Sequence, residues 1–545
     1  MGRYLLRIEA VNFLGFLEDT SDLSTRRGGG LLLLDAPEAI SIPGIAGVVT
    51  WKQVYSGAST ALFEFTTQEG VDPEIVRGEV ERQLHTGARA EATIMVDFEE
   101  YAKVADFQLV VAKLTSVNRR RQLKTPTIIY PECLNSVGID QIDDKRPGYE
   151  RDDMRHPIDN REIEGRNMIL SETTYLRRKY GQKEKYHFYE RVKLDVPAWS
   201  DFPFHGGEYV NDFDQLADNE NAQPSDLNGK IAFIYFDGNQ FGSIARSCTD
   251  PDSLRRWSDI VRANQDSFLN WILRVKTDAG NQSPWHWTGE PVDNSGRKRV
   301  KKRLFRIETL LWGGDEIIWV VPAWCGWWVL GCFFQHYGKL PWKVGTPAPR
   351  TSFTVGGKTW NLTHGAGIVF CHAQAPIRRI GALAHRLAET PKALGTKTVA
   401  EDKYKNYFAY QVLESFDHLG TDIQRVRENR LPPSLRGLPV SPLILSGDGM
   451  LEIFTPMGKF RERFPRSKLH SLAQAMLSGE PHCLEEADRE LKRAKLEGEF
   501  ETLCNYFGAQ ATGDRKKLAT WFHIIELWDY THEPTWNPAP VPDLP

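Results

Sequence analysis

Apolar and polar positions alternate from the start of the chain. YLLRIEAVNF, residues 4–13, reads as a strand. TRRGGG at 25–30 reads as a glycine-rich turn, and LLLLDAPEAI after it as a helix. VYSGASTALFEFT has strand character at both ends. PEIVRGEVERQLHTG has helical periodicity between a proline start and a glycine stop. ATIMVDFE reads as a strand and ADFQLVVAKLTSVNRRRQL as a helix. This order predicts a small α/β sandwich over residues 1–125.

Residues 126–228 lose the periodicity. They are rich in charge and proline and read as an irregular insert or linker, with a helix near SETTYLRRKYG. Order returns over residues 229–418. GKIAFIYFDGNQFG is a strand ending in an acid and a glycine turn, and SLRRWSDIVRANQDSFLNWILRVK is a long amphipathic helix. LFRIETLLWGGDEIIWVVP is two strands meeting at Gly313–Gly314. HGAGIVFCHAQAPI is a further strand, RRIGALAHRLAETPKALG a helix, and YKNYFAYQVLESF an apolar end. The order is βαββαβ, the split arrangement of a ferredoxin-like fold. The two α/β regions share it, which suggests duplication. Residues 419–545 read as mainly helical, with a disordered tail, WNPAPVPDLP.

One segment tests this picture. Ile317–Phe334 carries no charge over 18 residues, the lower edge for a membrane span. Pro322 and two glycines interrupt it, so it reads as a buried strand, IIWVVP, followed by a buried helix, AWCGWWVLGCFFQH. No membrane association is expected.

Composition narrows the function classes. A length of 545 residues implies several domains, and 41% hydrophobic residues are enough for sizeable cores. The net charge of −4 excludes a global basic field, so contact with nucleic acid would rest on local patches. None of the seven cysteines forms a CxxC pair, which argues against structural zinc and for reduced thiols in a cytoplasm. The N-terminus lacks a signal-peptide pattern.

The candidate chemistry lies in carboxylates. In a βαββαβ sheet the first strand lies beside the central hairpin. Asp237, at the end of that strand, then approaches Asp315 and Glu316 at the hairpin tip, although 315 − 237 = 78 positions separate them. Gathered carboxylates repel one another unless a cation offsets them. Hard oxygen donors of this kind suit Mg²⁺ or Mn²⁺ with phosphates completing the shell. A metal pair there could activate a hydroxyl and stabilise a pyrophosphate leaving group. Gly313 and Gly314 would permit the turn and close approach of a nucleotide. Taken alone, GGD in a hairpin is ordinarily just a turn.

FDGNQFG together with WGGDEIIWVVP resembles the nucleotide-cyclase palm of GGDEF proteins and of the large polymerase-like subunit of type III CRISPR complexes. HGAGIVFCHAQAPIRRIGALAHRLAETPK resembles that CRISPR subunit more than a diguanylate cyclase. The resemblance implies two palms, the first degenerate, and a helical C-terminal domain. It implies conversion of ATP to cyclic oligoadenylates, with a 3′-hydroxyl attacking an α-phosphate, in prokaryotic antiviral defence. Asp237 and Asp315 would ligate metal, with Glu316 a ligand or supporting acid. Gly238, Asn239, Gly242, Gly313, Gly314 and Lys392 would face the nucleotide. CRISPR-type effector subunits, RNA and a second copy of the chain are the implied partners.

The chain departs from the family pattern. Asn239 stands where an acid is usual, GGDE stands for GGDD, and Pro391 precedes Lys392. No histidine–aspartate nuclease motif opens the chain. Two rivals follow: a degenerate palm that only binds nucleotide or RNA, and a cyclic dinucleotide synthase of the GGDEF kind. The basic run Arg297, Lys298, Arg299, Lys301, Lys302 and Arg303 is a candidate RNA or phosphate patch, although such runs are more often solvated loops. His364 and His372 read as structural histidines, and Trp324, Trp327 and Trp328 as core aromatics.

Overall fold

The computed structural model describes residues 2–20, 22–42, 47–125, 135–151, 168–192, 208–210, 212–218, 225–273, 286–287, 304–340, 350–395, 405–414, 444–480, 482–509 and 511–532. The basic run at 296–303 and the tail after 532 lie outside them.

The first unit comprises β1 (Gly2–Ala10), α1 (Leu23–Asp35), β2 (Val48–Ser56), β3 (Thr60–Thr67), α2 (Glu74–Leu84), β4 (Ile94–Glu100) and α3 (Phe107–Gln122). Its sheet runs β2-β3-β1-β4, all antiparallel. Alternate positions of β1 feed two apolar clusters, with Leu6 and Ile8 packed with Phe63, Val76 and Val96.

A helix of the insert, α4 (Glu172–Glu190), packs along α1. The second unit follows with β5 (Lys230–Gly238), α5 (Pro251–Leu273), β6 (Glu308–Gly313), β7 (Glu316–Pro322), α6 (Ala323–His336), β8 (His364–His372), α7 (Ile377–Gly395), β9 (Tyr407–Val412) and β10 (Ile444–Ser446). Its sheet runs β6-β7-β5-β8-β9-β10. The first four strands repeat the spatial order of the first unit, and β9 adds in parallel beside β8. Both regions therefore carry the split βαβ order read from the sequence. Helices α5 and α6 cover one face of the second sheet and α7 the other.

The uncharged stretch 317–334 forms β7 and α6, with Trp327 buried and Trp328 nearly so. Trp327 donates its indole N–H to the Met450 carbonyl at 2.9 Å. Among the described residues no helix is long and apolar enough to cross a membrane. The C-terminal helices are α8 (Phe454–Arg463), α9 (Arg466–Ser478), α10 (Cys483–Ala494), α11 (Glu497–Phe507) and α12 (Gly513–Glu526). They close around Trp521, which meets the rings of Phe460, Phe464 and Phe500.

TRRGGG corrects one reading. It is the middle of α1, not a turn, and its three glycines are buried. Asp22 starts the helix by accepting from the Thr25 N–H at 2.8 Å. The glycines are there for contact. A Cβ on Gly28 would lie 1.8 Å from the Arg177 carbonyl oxygen, and one on Gly30 would lie 2.3 Å from that of Leu310. So α1 lies backbone-close to α4 on one side and to β6 on the other. The latter contact covers the edge strand of the second sheet. The insert is likewise more than a linker, because α4 supplies half of this crossing.

Charge locks the same junction. Glu308, fully buried at the start of β6, accepts from Arg27 of α1 (Nε–Oε1 2.5 Å, Nη2–Oε2 2.7 Å) and from Lys185 of α4 (2.7 Å). Burial alone would raise the Glu308 pKa, but the two cations outweigh it and hold it below the usual range. Lys185 is pulled down to about 7, chiefly by burial and then by Arg27.

Two stability predictions follow from this packing. Gly28→Ala is expected to cost more than about 2 kcal/mol, because only backbone could yield to the new methyl. Gly78→Ala in α2, with open space around it, is expected to gain about 0.5–1 kcal/mol. Thermal melts of both variants check the pair. Lys185 sheds its proton near pH 7 when folded but near 10.4 when unfolded, so the unfolded chain binds more protons between those values. Its contribution to stability therefore rises with pH over that window. Denaturant unfolding at pH 6.5 and 9 should show wild type gaining about 2 kcal/mol relative to Lys185→Met.

Candidate active site

The hairpin tip is built by two glycines. Gly313 pairs with Glu316, which leaves Gly314 and Asp315 as a two-residue turn. Gly314 has φ of 64°, the left-handed value that such turns require. Gly313 and Gly314 also face the first unit. A Cβ on Gly314 would come within 3.3 Å of the Gly57 Cα, and one on Gly313 within 3.4 Å of the Ala58 nitrogen. The β6–β7 turn thus meets the β2–β3 turn. A close neighbour of both glycines is another stretch of backbone.

The sheet register gathers the acids. Asp237 lies directly opposite Glu316 in the antiparallel β5–β7 pair. Opposed residues point to the same face with Cβ atoms about 4.5–5.5 Å apart. On its other side Asp237 faces Gly365 of β8, which has no side chain to intrude. Asp315 follows at the turn, and its carbonyl accepts from the Gly238 N–H at 2.8 Å. Two positions before Asp237, and on its face, Tyr235 donates its hydroxyl to Glu316 Oε1 at 2.5 Å. Its ring meets His385 of α7 edge-on. Burial, then Glu316 and Asp237, push the Tyr235 pKa far above that of a free phenol. The phenol therefore stays a donor at any ordinary pH.

A cavity of about 330 Å³ opens on the other side of the tip, between the two units. The β2–β3 turn at Tyr55–Gly57, the α5 face and the hairpin from Trp312 to Asp315 form its walls. Of the sequence-predicted residues, Gly242, Gly313, Gly314 and Asp315 line it. Gly238 and Asn239 do not. Gly238 makes room for the Phe241 ring, which a Cβ would meet at 2.5 Å. Asn239 spends its amide N–H on Thr363 Oγ1 at 3.1 Å. Residue 392 falls in the last turns of α7, and its side chain lies outside the described residues. So do Arg297, Lys298, Arg299, Lys301, Lys302 and Arg303. His364 is buried among the rings of Phe241, Phe333 and Tyr337, and His372 is exposed.

Sequence reasoning missed three contributors: Tyr55, Tyr235 and the polar run on α5. Asn264, Gln265, Asp266 and Ser267 are consecutive polar residues, all buried. Gln265 donates to the Gly314 carbonyl at 2.9 Å and so steadies the tip. Burial raises the Asp266 carboxyl above its usual range, partly offset by Arg191 and Arg262. Four polar residues interrupting an apolar periodicity are a signal that the sequence did contain.

Among the described residues, no three His, Cys, Asp or Glu side chains are gathered closely enough to hold a metal by themselves. The register-opposed pair still suits Mg²⁺, which needs only one or two carboxylates when waters and phosphates supply the rest.

No family model matches this chain, and no curated protein does. Among solved structures it is similar to a Csm1–Csm4 cassette in complex with one ATP, at 12% identity and a TM-score of 0.48, over 97% of this chain and 70% of that one. It is similar to Csm1 of T. onnurineus at 13% identity and a TM-score of 0.45, over 98% and 70% of the two chains. A Csm1–Csm4 cassette in complex with cA4 gives 14% identity and 0.41, over 97% and 70%.

Proposed function

We propose that this protein is a divalent-metal-dependent nucleotidyltransferase whose second unit, a palm, joins ATP into cyclic oligonucleotides. The observation that carries this reading is the register that sets Asp237 opposite Glu316, one residue from a tip that borders a nucleoside-sized cavity. The resemblance of FDGNQFG and WGGDE to the type III CRISPR subunit supplies the reaction class, the antiviral setting and effector subunits as partners.

The residues divide the work. Asp237 and Glu316 would hold Mg²⁺ or Mn²⁺ between opposed strands, and Asp315 would stand at the cavity side of the same tip. The metal, when bound, supplies Lewis-acid polarisation of the phosphates. Tyr235 holds Glu316 by a hydrogen bond to Oε1 and so fixes the carboxylate on the face that it shares with Asp237. The packed turns at Gly57 and Gly314 restrict water beside the site. One basic group, Lys392, lies in a helix that returns from the far end of β8 toward the Asp237 edge, where an α-phosphate would sit. A second copy or an RNA could add the remaining contacts.

A binding-only reading draws on Asn239, whose amide serves Thr363. Mass spectrometry of products from mixed nucleotides separates the readings: cyclic oligoadenylates, a cyclic dinucleotide of guanine, or bound and unchanged nucleotide. With ATP and Mg²⁺, Asp237→Ala and Asp315→Ala are each expected to lower product at least about 10²-fold while melting as wild type does. Undiminished product from either would remove the assignment. Tyr235→Phe is expected to slow the reaction about tenfold and to raise the Mg²⁺ concentration for half-maximal rate, since it deletes one hydrogen bond to a carboxylate.

A further inference from the structure

Among the polar groups that line the cavity, one buried carboxylate has no part in the proposed chemistry. Asp266 sits on α5 with 7% of its surface exposed and lines the cavity wall. The Trp312 indole N–H is its hydrogen-bonding neighbour. Its Oδ1 has no hydrogen-bond partner, although it is shut off from bulk water. The nearest cation, Arg191 Nη2, stands 4.0 Å away, beyond hydrogen-bond reach. A buried carboxylate oxygen left open costs about 1–3 kcal/mol or more unless something fills it. The same cavity also presents apolar and aromatic side chains, Trp257, Phe241, Val261 and Trp312, among its polar ones. Such walls take a flat heterocycle by stacking. Gly314 and Asp315 line the same cavity, so a base placed against Asp266 has the hairpin tip within the space open to its ribose and phosphates.

The protein thus presents an acceptor, Asp266 Oδ1, beside a donor, Arg191. The complement is a base edge with an amino donor beside an unprotonated ring nitrogen. Adenine has that pattern. Guanine's Hoogsteen edge has two acceptors and would leave Asp266 unsatisfied; its N1–H and N2 donors lie on its other edges, and the GTP arm of the binding test reads whether Asp266 takes those instead. We infer that Asp266 is the specificity-determining residue of the cavity, accepting a hydrogen bond from the exocyclic amine of adenine while Arg191 donates to the neighbouring ring nitrogen. The inference rests on the reading that this cavity receives ATP.

Equilibrium binding to the full chain tests it, with Ca²⁺ in place of Mg²⁺ to hold turnover off. The probes are ATP, GTP and purine riboside triphosphate, which carries hydrogen where ATP has its amine. Wild type is expected to bind ATP about tenfold tighter than the purine analogue. Asp266→Ala is expected to bind both alike, at wild type's affinity for the analogue. Equal wild-type affinities, tighter GTP binding, or a variant that loses both nucleotides by one factor would overturn the assignment. If the variant fails to fold, the wild-type comparison decides alone. The amine preference without any product from ATP would remove the synthase reading and leave this one; product without the preference would do the reverse.

Discussion

A single buried carboxylate joins the parts of this molecule. Glu308 has no water to solvate it and is neutralised by Arg27 from α1 and Lys185 from α4. Removing Arg27, the partner that keeps its charge at every ordinary pH, would leave the buried carboxylate uncompensated, which typically costs about 3–5 kcal/mol. The three groups come from the first unit, the insert and the second unit, so the set fixes their mutual placement. It also sits at the base of β6. From there six residues lead to the hairpin tip. Whatever positions Glu308 positions the tip.

The glycines complete the same junction by letting backbones touch. Gly28 and Gly30 bring α1 against α4 and β6, and Gly313 and Gly314 bring one hairpin turn against the other. Two sheets of the same strand order therefore meet tip to tip, and the cavity is the space that they enclose with α5. Ser258 of α5 hydrogen-bonds the Ser56 N–H, and Arg255 donates to the Gln53 carbonyl, tying α5 to β2. Acids on the α7 face and a cavity on the α5 face meet only at Asp315. A nucleotide that used both would have to pass the tip at Asp315.

Local pattern made much of this legible. The strands of both sheets other than β10, which falls in a region read as helical, the helices α2, α3, α5, α6 and α7, and the pairing of Asp237 with the hairpin follow from periodicity and element order. What was not legible depends on contacts between distant segments. TRRGGG looks like a turn because glycine has low helix propensity, yet the helix forms because α4 and β6 pack against its bare backbone. The role of α4 is hidden in a segment that reads as an irregular insert or linker, whereas its Lys185 joins Arg27 of α1 on the buried Glu308 of β6. Tyr235 reads as one more apolar strand position until the register places it beside Glu316. Asp266 was visible as a polar residue in an apolar face, but its meaning needs the cavity. Of the two hairpin glycines, Gly314 sits in the turn and Gly313 ends β6 beside it, and their neighbour is Gly57–Ala58.

The central claim is that strand register alone brings Asp237 and Glu316 around one divalent cation. Anomalous diffraction from crystals grown with Mn²⁺ and ATP tests it most directly. The account predicts a Mn²⁺ peak about 2.1 Å from a carboxylate oxygen of each residue, with nucleotide phosphate completing its shell. ATP bound in the cavity with Asp237 and Glu316 both outside the metal's coordination sphere would contradict it.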